Sequence, residues 1–490
     1  MGTMARLRAG WGRIAGNPAL ARWITLGVFI VLTGWYIAFA VQRWETSHLY
    51  GDEPEYLFEG RSVWRDGDLD LRNQYLHPGR HAFPGPLVFK VDPAGGPARP
   101  NFMPTSGVIL EPIDLAFGLL GVYLAYAAMN LVSLWLMHGM LRRNFGPIPS
   151  ALAVGTIGLS VPLAWHAAAL WTEIPAVLCV MGVLRLVPLL ETSRWARAGA
   201  GLLLAFLPWL HQKYGFLVAG IVVALLLDRR RWRLWPWLVG LPVVGIIGTV
   251  LFSEWIQGRA NFTQSGTTDA VSSGFDTSIS RFVAQPFAWF FDQTRGYLPL
   301  APIWVLAGVG LLFLLREARG RSMLLFLLVA FGPYYVVYFA GPFLGGDAPP
   351  GRETLAALPA LGVLLAAAYC ALRGAFAITV AGLLAIPSLY LGTKPAFQPG
   401  MDVFFNNQEQ PKLLLYLSGG RQNWADLWPR ITSDPHLWSR SKLLLLLIAA
   451  AAVAGTIYLS SKLAAQRRRD RPWTFPSAAW ARSALPPAPP

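Results

Sequence analysis

Apolar runs divide most of this chain, many of them near the ~20 residues a helix needs to cross a bilayer, and they constrain the fold more than any motif does. Of the 490 residues, 54% are hydrophobic and only 14% charged, where a soluble chain carries about 25% charged residues. The expectation is an all-α polytopic membrane protein with about twelve transmembrane helices. They fall near 23–42, 117–141, 150–169, 172–190, 198–211, 214–228, 234–252, 299–315, 322–341, 354–372, 375–392 and 441–463.

The formal charge is +15, but in a membrane protein basic residues first report topology. With the N-terminus inside, behind Arg6, Arg8, Arg13 and Arg22, the cytoplasmic segments carry 22 basic and four acidic residues. The outer segments carry 18 basic and 22 acidic residues. The whole excess is therefore cytoplasmic, and no nucleic-acid partner is implied. Both termini are expected in the cytoplasm, with the chain integral to the inner (plasma) membrane.

Residues 198–228 are short for two full crossings at about 1.5 Å per residue. One helix bent at Pro208 would place Arg229-Arg230-Arg231 outside, against the bias. Two short helices with His211-Gln212-Lys213 at their outer apex avoid that. The N-terminus imitates a signal peptide, ending in Ala38-Phe39-Ala40, but its apolar run is too long for one, so an uncleaved anchor is expected. Cys179 and Cys370 fall inside apolar runs and imply neither a disulfide nor a metal site.

The organisation expected is a cytoplasmic N-terminus (1–22) and a transmembrane module (23–392) with outer loops at 43–116 and 253–298. An outer cap segment (393–440), a last span (441–463) and a basic, disordered cytoplasmic tail (464–490) follow.

Loop one opens with acids. In "GDEPEYLFEG" Asp52 suits an N-cap, Pro54 the first turn, and Glu55 completes a capping-box-like D-x-x-E. The helix is expected to run to Arg65 and stop at Asp66-Gly67. Tyr56, Gly60, Val63 and Trp64 would share one face, as in an amphipathic helix on the outer membrane surface. Asp66, Asp68 and Asp70 alternate as in a cation-binding loop, but the Gly and distal Glu of an EF-hand are missing, so a solvated turn is expected. A carboxylate just beyond the first span also sits where a lipid-linked substrate presents its head group. Asp52 is thus a candidate proton acceptor as well as a cap.

"YGDEPEYLFEGRSVWRDGDLDLRNQY" resembles the first outer loop of bacterial membrane glycosyltransferases with the C-type (GT-C) fold, among them the protein O-mannosyltransferases and the aminoarabinose transferases. The resemblance implies a GT-C-like module, a polyprenyl-phosphate sugar as donor, and the Asp of an Asp-Glu pair as catalytic base. By position Asp52 is that base and Glu53 its partner. "WTEIPA" (171–176), "WLHQKYG" (209–215), "GYLPLAPIW" (296–304) and "GGDAPPGRE" (345–353) extend the resemblance over much of residues 20–375, while 393–490 adds little. Some relatives hold the donor phosphate with an Arg three residues after the acidic pair. Here that position is Tyr56, so the phosphate must be held from elsewhere.

Transfer from such a donor differs from glycoside hydrolysis, in which a second carboxyl group protonates the leaving group. A phosphate leaves as an anion and needs cations instead. Lys213, with His211, is a candidate because ionisable groups below the bilayer surface are costly and often functional, although a lysine there can also snorkel outward. Arg352 follows "GGDAPP" and is either a loop arginine paired with Asp347 or Glu353 or a phosphate ligand. Arg295 and Tyr297 are further phosphate candidates. Glu173, at the outer start of the fourth span, either caps that helix or, with Tyr56, orients an acceptor hydroxyl. His166 is expected to be a satisfied interface histidine. Trp64, Trp424 and Trp428 are candidates for stacking on sugar rings; aromatic belts account for the other tryptophans.

The function expected is inverting transfer of a hexose or pentose from a polyprenyl-phosphate donor to the hydroxyl of a lipid, glycan or protein acceptor at the outer face. Membrane lipids are the surrounding partner. The scheme requires no metal or other cofactor, although relatives that use a metal exist. Two alternatives stay open. A lipid-linked sugar flippase or transporter fits the span count, although carriers show two related halves and loop one has no counterpart after span seven. An O-antigen ligase or polymerase would act through the late segment 393–440, with its Arg421 and Arg430.

Overall fold

A computed structural model describes residues 17–46, 49, 52–76, 100, 103–257, 286–292, 296–316, 318–340, 351–372, 374–394, 428 and 440–466. Among the described residues all regular structure is helical. Within those residues six helices are long and apolar enough to cross a membrane: Pro18–Thr46, Thr105–Phe145, Pro236–Ile256, Thr354–Ala371, Ala375–Thr393 and Leu443–Leu463. Pro147–Leu159, Tyr214–Leu226 and Pro302–Arg316 are apolar but shorter. The chain is an integral membrane protein whose helices include several shorter than the expected spans.

The helices that matter here are α1 (Pro18–Thr46), α2 (Glu53–Arg61), α3 (Thr105–Phe145), α4 (Pro147–Leu159), α5 (Glu173–Leu186), α6 (Arg194–Leu210) and α7 (Tyr214–Leu226). The later ones are α8 (Leu241–Gln257), α9 (Val305–Arg316), α10 (Ala318–Ala340), α11 (Leu358–Ala371), α12 (Gly374–Thr393) and α13 (Arg440–Gln466). α3 packs on α1, α4 and α5; α6 lies between α5 and α8; α7 packs on α10, and α9 on α11 and α13. In α9 and α7 a side chain at Gly310 or Gly220 would overlap a carbonyl of α11 or α10, so these helices meet backbone to backbone, as small residues allow within membranes.

Two local expectations change and one holds. The second span begins at Thr105 rather than 117, and Gly118, at φ 65° and ψ −174°, breaks it into residues 105–117 and a longer membrane-crossing part. The third span is helical only to Leu159. Ser160 is extended, Pro162 supplies no N–H to continue the ladder, and Leu163–His166 forms a buried 3-10 turn. The expectation of two helices across residues 198–228 agrees with the structure. His211 is extended, so the break falls there and not at Pro208, which stays inside α6.

The loop-one helix differs more. It runs through α2 into a π-turn at Ser62–Asp66, and Gly67 ends it at φ 74°. However, Glu53, Pro54, Tyr56, Leu57, Phe58, Glu59, Gly60 and Arg61 are all buried. α2 is therefore an inserted element with protein on nearly every side, and the expected amphipathic surface helix is not what residues 53–61 form. Its composition hides this, because buried glutamates read as a polar face. Asp66, Asp68 and Asp70 do lie in a turn closed by local hydrogen bonds, with Ser62 Oγ donating to Asp68 at 2.7 Å and Arg72 pairing with Asp70 at 2.6 Å.

Candidate active site

The site is built around the N-terminal end of α2. Two contacts fix that helix on α3. Gly60 and Gly107 face each other so closely that a methyl group on Gly107 would overlap the Tyr56 carbonyl. At the far end, Arg61 reaches Asp114 at 3.3 Å and Arg65 reaches Glu111 at 2.7 Å. A third contact joins α2 to α1: Arg43 Nη2 donates to Glu53 Oε2 at 2.5 Å, both side chains being buried. The other oxygen of Glu53 accepts the Leu170 backbone N–H at 2.8 Å.

Asp52 precedes the helix, and its side chain makes no capping hydrogen bond. The capping role expected for it is therefore not taken up. Its Oδ2 instead accepts from Arg352 Nη2 at 2.8 Å, across 300 positions of sequence. Arg352 Nε donates to Glu173 Oε1 at 3.2 Å, and Lys213 Nζ donates to the same oxygen at 2.5 Å. The four groups form one chain of alternating charge, Asp52–Arg352–Glu173–Lys213. Exposure is greatest at Asp52, whose side chain is 32% exposed, against 14% for Arg352 and 15% for Lys213, with Glu173 fully buried between the two cations.

Each member is set by its local sequence. Glu173 is the first residue of α5, preceded by Thr172, whose hydroxyl lies 3.3 Å from that of Tyr214 on α7. Lys213 is the last residue of the turn between α6 and α7, where its backbone N–H donates to His211 Nδ1 at 3.2 Å. Arg352 follows Gly351, whose φ of 84° belongs to the left-handed region, which glycine enters without steric cost. A side chain at Gly351 would also collide with the ring of Tyr297 and with Pro162. The guanidinium carbon then lies over Trp171, 3.7 Å from the ring centroid, a contact worth about 2 kcal/mol when desolvated. Burial opposes the charge on Arg352, but Glu173 and Asp52 outweigh it and push its pKa well above the usual range. Burial, reinforced by the Asp52 carboxylate, pushes the Tyr56 phenol well up too, so it stays a neutral hydroxyl.

Of the residues singled out from sequence, the structure thus brings together Asp52, Tyr56, Glu173, Lys213 and Arg352. His211 stands beside them, but its Nδ1 is spent on the Lys213 backbone, so it braces the turn. Tyr297 packs beneath Gly351 and edge-on to Phe290, with ring centroids 5.7 Å apart. Its ring thus backs the turn that carries Arg352. Glu53 is buried with Arg43 and Leu170 and stands with the supporting structure. His166 is fully buried rather than at an interface and is only half satisfied: its Nδ1–H donates to the Pro162 carbonyl at 2.8 Å, while among the described residues Nε2 has no hydrogen-bond partner. Trp64 is exposed and donates to the Val108 carbonyl at 2.8 Å. Arg295, Asp347, Arg421, Trp424 and Arg430 lie outside the described residues.

Sequence reasoning missed Trp171 and Arg43. Trp171 opens the quoted "WTEIPA" stretch, yet nothing in it separates an arginine platform from a belt tryptophan. Arg43 follows an apolar run and reads as a topology residue. Among the described residues, no three His, Cys, Asp or Glu side chains stand close enough together to hold a metal ion.

No protein-family model matches the chain, and no curated protein matches it in sequence. Two solved structures are similar to it. One is the crystal structure of ArnT from Cupriavidus metallidurans bound to undecaprenyl phosphate, with 20% identity and a TM-score of 0.45, covering 91% of this chain and 77% of that one. The other is the same protein in the apo state, with 19% identity and a TM-score of 0.46, covering 91% and 76%.

Proposed function

We propose that the chain is a membrane glycosyltransferase of the C-type fold that moves a sugar from a polyprenyl-phosphate donor to an acceptor hydroxyl. The observation that carries this reading is that Arg352 and Lys213, from distant motifs, share one buried carboxylate, Glu173, while Arg352 also holds Asp52. Buried or half-buried charges are costly unless paired, and perturbed clusters of this kind gather at functional sites.

The chemistry follows from the charges. Asp52, the exposed end of the chain, takes the proton of the acceptor hydroxyl. The acceptor oxygen bonds to the anomeric carbon as the sugar–phosphate C–O bond breaks on the opposite side, which inverts that carbon. The bonding pair leaves with the phosphate, which remains on its lipid. Arg352 and Lys213 take up the phosphate charge, the electrostatic contribution that dominates many enzymatic rate enhancements. Glu173 holds both cations and so positions the phosphate site; it does not itself act on the acceptor. The positive-inside bias puts this end of the helices on the extracytoplasmic face of the inner membrane, with both termini in the cytoplasm.

The full chain in proteoliposomes tests the reading, with a polyprenyl-phosphate sugar as donor and membrane lipid extract as acceptor. The expected result is an inverted glycoside and free polyprenyl phosphate in equal amounts. Intact donor moved across the bilayer, with no glycoside formed, would overturn it in favour of a flippase.

A further inference from the structure

The two carboxylates on Arg352 are not equivalent. Glu173 is fully buried and is shared with Lys213 at 2.5 Å, so two cations hold it. Asp52 is 32% exposed, and among the described residues its carboxylate takes a hydrogen bond from Arg352 alone, at 2.8 Å. Arg352 cannot follow it far. Its guanidinium rests on the buried Trp171, and its backbone leaves a left-handed glycine that is wedged against Tyr297 and Pro162. An anion arriving from the exposed side meets Arg352 at the Asp52 end. The partner that gives way is then Asp52, the most exposed and least tied of the three.

We propose that the Asp52–Arg352 pair is a latch, opened by the phosphate of the lipid donor. This rests on the reading of the site as a polyprenyl-phosphate transferase and adds its order of events. In the empty site the guanidinium engages the Asp52 carboxylate, which is then not turned to an acceptor hydroxyl. An incoming phosphate exchanges for Asp52 on Arg352, and the freed carboxylate turns to the acceptor hydroxyl. No covalent bond changes in this step; one anion replaces another on a fixed cation. The base is therefore available only when there is a donor to attack, and the acceptor is activated second. Trp171 is a positioning residue in this scheme, because it keeps Arg352 in place while its partners exchange.

Difference infrared spectroscopy of the full chain in lipid nanodiscs tests the latch, with undecaprenyl phosphate as the probe. The Asp52 carboxylate band is assigned by its loss in Asp52→Asn, or by its displacement in Asp52→Glu if the amide variant does not fold. Undecaprenyl phosphate is expected to shift that band, and undecaprenol, the same chain without the phosphate, to leave it in place. In Trp171→Leu the shift at saturating lipid is expected to shrink, because the guanidinium now moves with Asp52. Lipid phosphate that binds, by parallel equilibrium dialysis, without moving the band overturns the latch and leaves the transferase reading standing. A full shift in Trp171→Leu overturns the fixed-arginine premise. Undecaprenyl phosphate that does not bind at all removes the donor reading and the latch together.

Discussion

Asp52 and Glu53 are adjacent acids with opposite surroundings. Glu53 is sealed: Arg43 meets one oxygen at 2.5 Å, the Leu170 N–H meets the other at 2.8 Å, and the side chain is buried. Asp52 keeps nearly a third of its side chain exposed and is held by one arginine. Position in sequence does not separate them, whereas direction does. The first turn of α2 sends Glu53 toward α1 and Asp52 toward the turn before α11. A sealed pair joins two elements and is strongly destabilising to break. An open pair can exchange its partner, which is what a reacting group requires.

The contrast can be broken by mutation. Glu53→Ala leaves Arg43 buried without its carboxylate and should cost roughly 3–5 kcal/mol of stability, read as lost yield and a lower unfolding temperature in detergent. Lys213→Met removes one of two cations from Glu173. Charge-assisted hydrogen bonds are worth about 1.5–3 kcal/mol, so kcat/KM for the lipid donor should fall roughly 10- to 150-fold in the transfer assay, while yield is largely kept. Gly107→Ala forces α2 away from α3 at Tyr56, an overpacking cost of about 1–3 kcal/mol that shows in thermal unfolding and displaces Asp52 as well. Arg72→Ala removes an exposed pair with Asp70 and should leave both unfolding temperature and turnover unchanged, as exposed ion pairs contribute little.

Much of this was legible because charge is rare in the chain. Lys213, Glu173 and Arg352 each stand beside an apolar run where an ionisable side chain needs a reason, and all three belong to the chain of charges that ends at Asp52. The two-helix reading of 198–228 followed from the sidedness of Arg229-Arg230-Arg231 and agrees with the break at His211. What the sequence concealed was burial. α2 reads as an amphipathic surface helix because glutamates look solvated, and only its contacts with α1 and α3 show that they are enclosed. Asp52 fits an N-cap by residue type, yet Arg352 competes for its carboxylate from 300 positions away, and no local pattern encodes that. The stacking of Trp171 under Arg352 is likewise a product of tertiary packing.

The central claim is that Asp52 does chemistry while its neighbour holds the fold. Asp52→Asn keeps the shape of the side chain and removes the proton acceptor. Turnover and unfolding temperature of this variant, measured together in reconstituted membranes, test the claim most directly. The account predicts turnover lower by about 10²- to 10⁴-fold, the range for a general base, at an unfolding temperature close to that of the wild type. A folded Asp52→Asn protein that transfers sugar at the full rate would contradict it.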